Sequence, residues 1–181
     1  PIEFGSMHAI LFQMALLPLT MCRHSLTQLS QTSLKEYIPF DRLTRFHIHL
    51  GYVMVSIVFL ATIVFFIFFG TMCTAQKEGL GLGPEGQMTF CGKFLSEIMI
   101  TGYIILALLL LVAFTSFFRA QIPYEVFYGI HQLVFIMFAV STLHTNDEGV
   151  RLGKKKRSQT FRWYSASLLF YFLDRIYMYM V

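Results

Sequence analysis

Four stretches of this chain carry no Lys, Arg, Asp or Glu: Phe4–Cys22, Phe46–Gln76, Ile98–Phe118 and Val126–Asn146. A hydrocarbon core takes about 20 apolar residues of α-helix to cross, and each of these stretches is of that order or longer. A fifth, Trp163–Val181, is interrupted only by Asp174 and Arg175. Inside lipid every backbone polar group must be satisfied within the protein, so such segments fold as helices. The pattern predicts an all-α, polytopic membrane helix bundle with five spans in this chain. Charged residues make up 13% of the sequence, against about 25% in soluble domains, and the lipid bilayer is therefore the first expected partner. The net charge of +4 suits cationic flanks meeting anionic headgroups and does not point to nucleic acid. No glycine-rich G-x-G-x-x-G fingerprint occurs, so nucleotide chemistry must come from outside this chain.

Pro1–Ser6 (PIEFGS) ahead of Met7 reads as a cloning remnant rather than a signal peptide. From Met7 the first helix is expected to run on to about Leu34 through the polar stretch RHSLTQLSQTSL, which holds no Pro or Gly. Pro39 and Asp41 turn the chain, and a second helix follows over about Leu43–Met72. The glycine-rich segment from Cys73 to Gly92 reads as a solvent loop. A third helix is expected over Phe94–Phe118, a fourth over Tyr124–His144 and a fifth over Thr160–Val181, the last two joined by the charged loop NDEGVRLGKKKRSQ. Cys73 and Cys91 bracket the glycine segment on one side of the membrane. They permit a disulfide if that side is oxidising, or two reduced thiols at helix ends. Cys22 reads as a small buried residue.

Histidines carry the chemistry. His47, His49, His131 and His144 each sit in or at the edge of a span, where an imidazole is costly without a partner. Haem iron accepts a neutral imidazole nitrogen, and helix bundles build cofactor sites from facing side chains. The second and fourth helices cross the membrane in the same direction, and His47 and His131 each lie close to a helix start. They are expected at similar depth, as a bis-histidine haem requires. His144 follows His131 by 13 residues, roughly 20 Å along a helix, but rotated by about 220° from it in an ideal one. His49, two residues from His47, reads as interfacial, and His8 and His24 as structural.

These residues resemble those of the NADPH oxidases, within the wider ferric reductase superfamily. LLPLTMCR (Leu16–Arg23) is similar to that family's leucine-proline-cysteine-arginine segment, extended before the Cys. FDRLTRFH (Phe40–His47) resembles the start of the family's third helix, YEVFYGIHQLVFIMFAVSTLH (Tyr124–His144) its fifth and QTFRWYSASLLFYFLDR (Gln159–Arg175) its sixth. The resemblance implies that residues 7–181 form a ferric reductase-like transmembrane haem domain, with the first of the family's six helices missing. It further implies an oxidoreductase that passes electrons from NADPH through FAD, in an absent C-terminal dehydrogenase domain, to b-type haem and on to dioxygen, giving superoxide. By position, His47 and His131 would hold the inner haem iron and His144 the outer, with Met137 between the haems and Arg23 near the outer haem and the oxygen site. The C-terminus would be cytoplasmic.

One position departs from the family. The outer haem's second histidine is expected 14 residues after His47, and that position is Ala61; a further family histidine falls on Phe65. Neither side chain ligates iron, so the second haem would be absent, five-coordinate or ligated from another helix. Two alternatives follow: a ferric or cupric chelate reductase of the same fold, or a degenerate haem-binding membrane scaffold. The basic run Arg151–Arg157, which the family topology puts outside, also runs against the positive-inside tendency.

Overall fold

The computed structural model describes residues 2–77, 91–92, 97–145 and 160–181, and among them the regular structure is all helical. Helices α1 (Ile2–Leu19) and α2 (Arg23–Leu29) come first, followed by short 3₁₀ turns at Ser33–Glu36 and Phe40–Arg42. Then come α3 (Leu43–Lys77), α4 (Glu97–Phe117), α5 (Tyr124–His131), α6 (Leu133–His144) and α7 (Thr160–Met180). Among the described residues three spans are long and apolar enough to cross a membrane: Phe40–Ala75, Met99–Phe117 and Tyr124–His144. A fourth arises if α1 and α2, bent by 79° at their junction, form one broken span. The fifth expected helix, α7, forms over nearly its predicted length; Arg162, Asp174 and Arg175 make it more polar than those three.

The chain divides into two compact units, Pro1–Val58 with Gln159–Val181, and Phe59–Ser158. In the first, α7 packs along α1 and also meets α2. Its buried side chains include Leu11, Met14, Cys22 and Tyr164, with Gln13 and Ser167 among the polar ones. Without a hydrophobic drive between helices in lipid, close packing and interhelical hydrogen bonds hold such a pair together. In the second unit α4 packs against α5 and α6 around Leu109, Val112, Met137 and Phe138. Leu60, Ile67 and Phe117 stand exposed on their helices, as lipid-facing side chains do.

The first helix departs most from expectation. A continuous helix to Leu34 does not form: α1 stops at Leu19, the chain bends, and α2 ends at Leu29. Pro18 lies in the last turn of α1, and after it the backbone tightens into i→i−3 bonds from Met21 to the Pro18 carbonyl and from Cys22 to the Leu19 carbonyl. A break at membrane depth is stable only if the freed backbone groups find partners. Here α7 supplies them. The Asp174 carboxylate accepts from the backbone N–H of Ser25 at 2.8 Å and of His24 at 3.3 Å, and from the Ser25 hydroxyl at 2.6 Å. Arg175 donates through Nη2 to the Met21 carbonyl at 3.0 Å and lies over the Tyr171 ring. One dipeptide thus satisfies both sides of the break.

Tyr124–His144, expected as one helix, is interrupted at Gln132 into α5 and α6. The Phe135 N–H bonds back to the Gln132 carbonyl, one residue short of α-helical spacing. Residues in such a tight turn rotate by about 120° each instead of 100°. The interruption therefore carries His144 round from the ideal 13-residue offset towards the face of His131. Cys73 and Cys91 are joined in a disulfide, which decides between the two readings of that pair. The charged loop between α6 and α7 lies outside the described residues.

Candidate haem centre

His47 stands in the first turns of α3, within the first unit. Its Nδ1 lies 2.8 Å from the Thr20 hydroxyl at the α1 break. His144, the last residue of α6 in the second unit, has its Nδ1 3.0 Å from the Thr101 hydroxyl on α4. Next to Thr101 is Gly102, where an added Cβ would stand 3.2 Å from His144 Cε1. The absence of a side chain there lets the imidazole lie close against α4. His131 ends α5, half-buried, its ring 5.3 Å from that of Phe127. Met137 is buried in α6 at 4% exposure, which also suits plain core packing.

Other expected positions fall elsewhere. His49 Nδ1 bonds the Arg45 carbonyl one turn back at 2.7 Å, on an exposed face. His8 meets Trp163 edge-on, and His24 lies 4.4 Å from the Tyr177 ring. Ala61 and Phe65 follow on α3, Phe65 packed on Phe69 at 4.3 Å. Arg23 is exposed as the first residue of α2. It comes only three residues after Thr20, so its backbone lies within about 11 Å of the residue that touches His47.

Among the described residues no three His, Cys, Asp or Glu side chains gather into a metal site. A haem asks for something different: individual imidazoles presented by helices. His47 and His144 suit that demand: each has its Nδ1 against a threonine hydroxyl, and an imidazole that donates there is the tautomer whose Nε2 can ligate iron.

Residues 5–142 match the family described as ferric reductase like transmembrane component, a stretch that includes Arg23, His47, His131 and Met137 and stops two residues before His144. The chain belongs to the ferric reductase-like transmembrane family. It is also 28% identical over 185 residues to dual oxidase 1 of Caenorhabditis elegans, an alignment covering 95% of this chain but 12% of that protein. The chain thus spans a small part of the length of this curated relative.

For a ferric reductase-like domain, the residues missed by sequence reading are Thr20, Thr101, Gly102, Asp174 and Arg175. Only the last two carried a signal, as charges within an otherwise apolar helix. The contact at Gly102 yields a prediction: Gly102→Val should displace His144 and lower haem per chain to the level of His144→Ala, with the folded yield preserved. A pyridine haemochrome assay reads it; native haem content in Gly102→Val would show that the close approach does not position the ring.

Proposed function

We propose that this chain is the membrane electron conduit of an NADPH oxidase-type oxidoreductase. Electrons would arrive from FAD and NADPH in a C-terminal dehydrogenase domain outside this sequence and leave on the opposite face to dioxygen, as superoxide. The observation that carries this reading is the contact of His47 Nδ1 with Thr20 at the start of a span, within the stretch that matches the family. Bound haem would supply a one-electron Fe(III)/Fe(II) couple. His47 and His131 would ligate the inner haem, His144 would present Nε2 to the outer one, and Met137 would fill the space between. Arg23 would stand near the outer haem and the oxygen site, where a haem propionate would give an arginine at membrane depth its anionic partner.

The Cys73–Cys91 bond supports the orientation. Disulfides persist where the medium is oxidising, which favours the exoplasmic side for the end of α3 and the start of α4. Three further crossings, α4, α5 with α6, and α7, would bring the C-terminus to the cytoplasm, where a dehydrogenase domain could attach. The start of α3, with His47, would then also face the cytoplasm, so the inner haem would lie nearest the electron donor.

A second reading draws on Ala61 and Phe65: a domain with one haem, acting as a chelate reductase or a haem-binding scaffold. Haemochrome assays on purified variants separate the two. His47→Ala and His131→Ala should each lose the same single haem, and His144→Ala a different one if the relay is complete. A single haem insensitive to His144 favours the second reading, and a native protein without haem overturns both. In the full-length protein, NADPH-dependent oxygen uptake, as against reduction of a ferric chelate, separates oxidase from reductase.

A further inference from the structure

Thr20 sits where α1 stops, and its hydroxyl has two short contacts. It donates to the Leu17 carbonyl at 2.6 Å and lies 2.8 Å from His47 Nδ1. A hydroxyl has one proton and two lone pairs. With the proton on the carbonyl, the contact with His47 is a hydrogen bond only if Nδ1 is the donor. The imidazole is then the Nδ1–H tautomer, with its lone pair on Nε2. Thr20 is 8% exposed, so bulk water scarcely competes for the acceptor oxygen.

What keeps Thr20 there is the break itself. The Met21 carbonyl is taken by Arg175, Cys22 is buried with its thiol on the Pro18 carbonyl, and the amides of His24 and Ser25 are taken by Asp174. A straight helix through this point would carry the chain past α3 on a different course. We infer that Thr20 is a positioning residue for His47, held in place by the Asp174–Arg175 clamp, and that its oxygen fixes the tautomer and strengthens Nε2 as a donor to haem iron. The inference rests on the reading of His47 as a haem ligand.

A hydrogen bond from the far nitrogen of a ligating imidazole raises its basicity, which favours the ferric state. Removing the acceptor should therefore raise the midpoint potential and loosen the haem. In Thr20→Val, which keeps the shape and loses the hydroxyl, the haem that depends on His47 should titrate at a higher potential than in the native protein. It should also pass to apomyoglobin about ten-fold faster. Thr20→Ser should restore both values. A Thr20→Val protein with native potential and native transfer rate overturns the inference. His47→Ala, assayed alongside, keeps the two failures apart: full haem in His47→Ala removes the reading of His47 as a ligand, whereas loss of haem there with an unchanged Thr20→Val removes only the role of Thr20. Should Thr20→Val not accumulate as folded protein, a His47→Gly variant refilled with exogenous ligand asks the same question. Imidazole, which has an N–H to give to Thr20, should bind about five-fold tighter or better than 1-methylimidazole, which has none. Equal affinities overturn the proposal.

Discussion

Asp174→Ala is expected to be the most damaging single substitution in the first unit. It removes the acceptor for three donors, the amides of His24 and Ser25 and the Ser25 hydroxyl, at a carboxylate only 5% exposed. Leaving a buried polar group unsatisfied costs about 1–3 kcal/mol. Three of them, half-buried, bring the expected loss to about 3 kcal/mol or more. Asp174→Asn keeps one carbonyl oxygen for the Ser25 amide and should recover about half of that. Thermal unfolding of the detergent-solubilised protein, followed by the monodisperse fraction, measures both. Arg42→Ala provides the contrast: its pairing with Asp41 at 3.9 Å is widely exposed on both sides, and exposed pairs contribute about 0–1 kcal/mol. If Asp174→Ala unfolds no earlier than Arg42→Ala, the carboxylate does not hold the break.

The second large effect is expected at the disulfide. Cys73 and Cys91 are 18 residues apart, and closing a loop of that size stabilises by about 3 kcal/mol through the unfolded chain. The double variant Cys73→Ser with Cys91→Ser should lower the unfolding midpoint accordingly, and reductant added to the native protein should bring it to the same value. Identical midpoints with and without reductant would show that the bond contributes nothing to stability. The single variants should each match the double, because one thiol alone closes no loop.

The helices were legible because length and absence of charge are all that a span requires. α3 starts at Leu43 and α4 stops at Phe117, each within a residue or so of where its flanking charges and turn residues fall. The break at Thr20–Cys22 was not legible, since a run of Thr, Ser, Gln and Leu is compatible with helix. Pro18 is a local signal for a stop, but the groups that hold the break, Asp174 and Arg175, lie about 150 residues away and leave no trace in the local pattern. Gln132 is similar: a single polar residue in an apolar run marks no boundary unless its neighbours are known.

The histidines could be proposed from spacing, because an imidazole within a span is rare and costly. Their threonines could not. A Thr in an apolar helix commonly bonds back to its own backbone, and Thr20 does so with Leu17. Only the folded arrangement shows that the same oxygen also lies 2.8 Å from His47 Nδ1. The glycine beside Thr101 likewise has meaning only once His144 lies against it. Asp174 and Arg175 were visible as an interruption, and their effect on a distant helix end emerges only from packing.

The clamp also has a consequence for biosynthesis. The amide of His24 is satisfied by a carboxylate 150 residues later in the chain, so the ribosome makes the donor long before the acceptor. At about 5–20 residues per second, that interval is roughly 8–30 s. Throughout it, α1 can leave the insertion machinery but the bend after it has no protein partner, and its free amides must stay within reach of water or of the translocon. α7 is therefore the helix that completes the break after α1, and a chain cut short before Asp174 would leave that break without its acceptor.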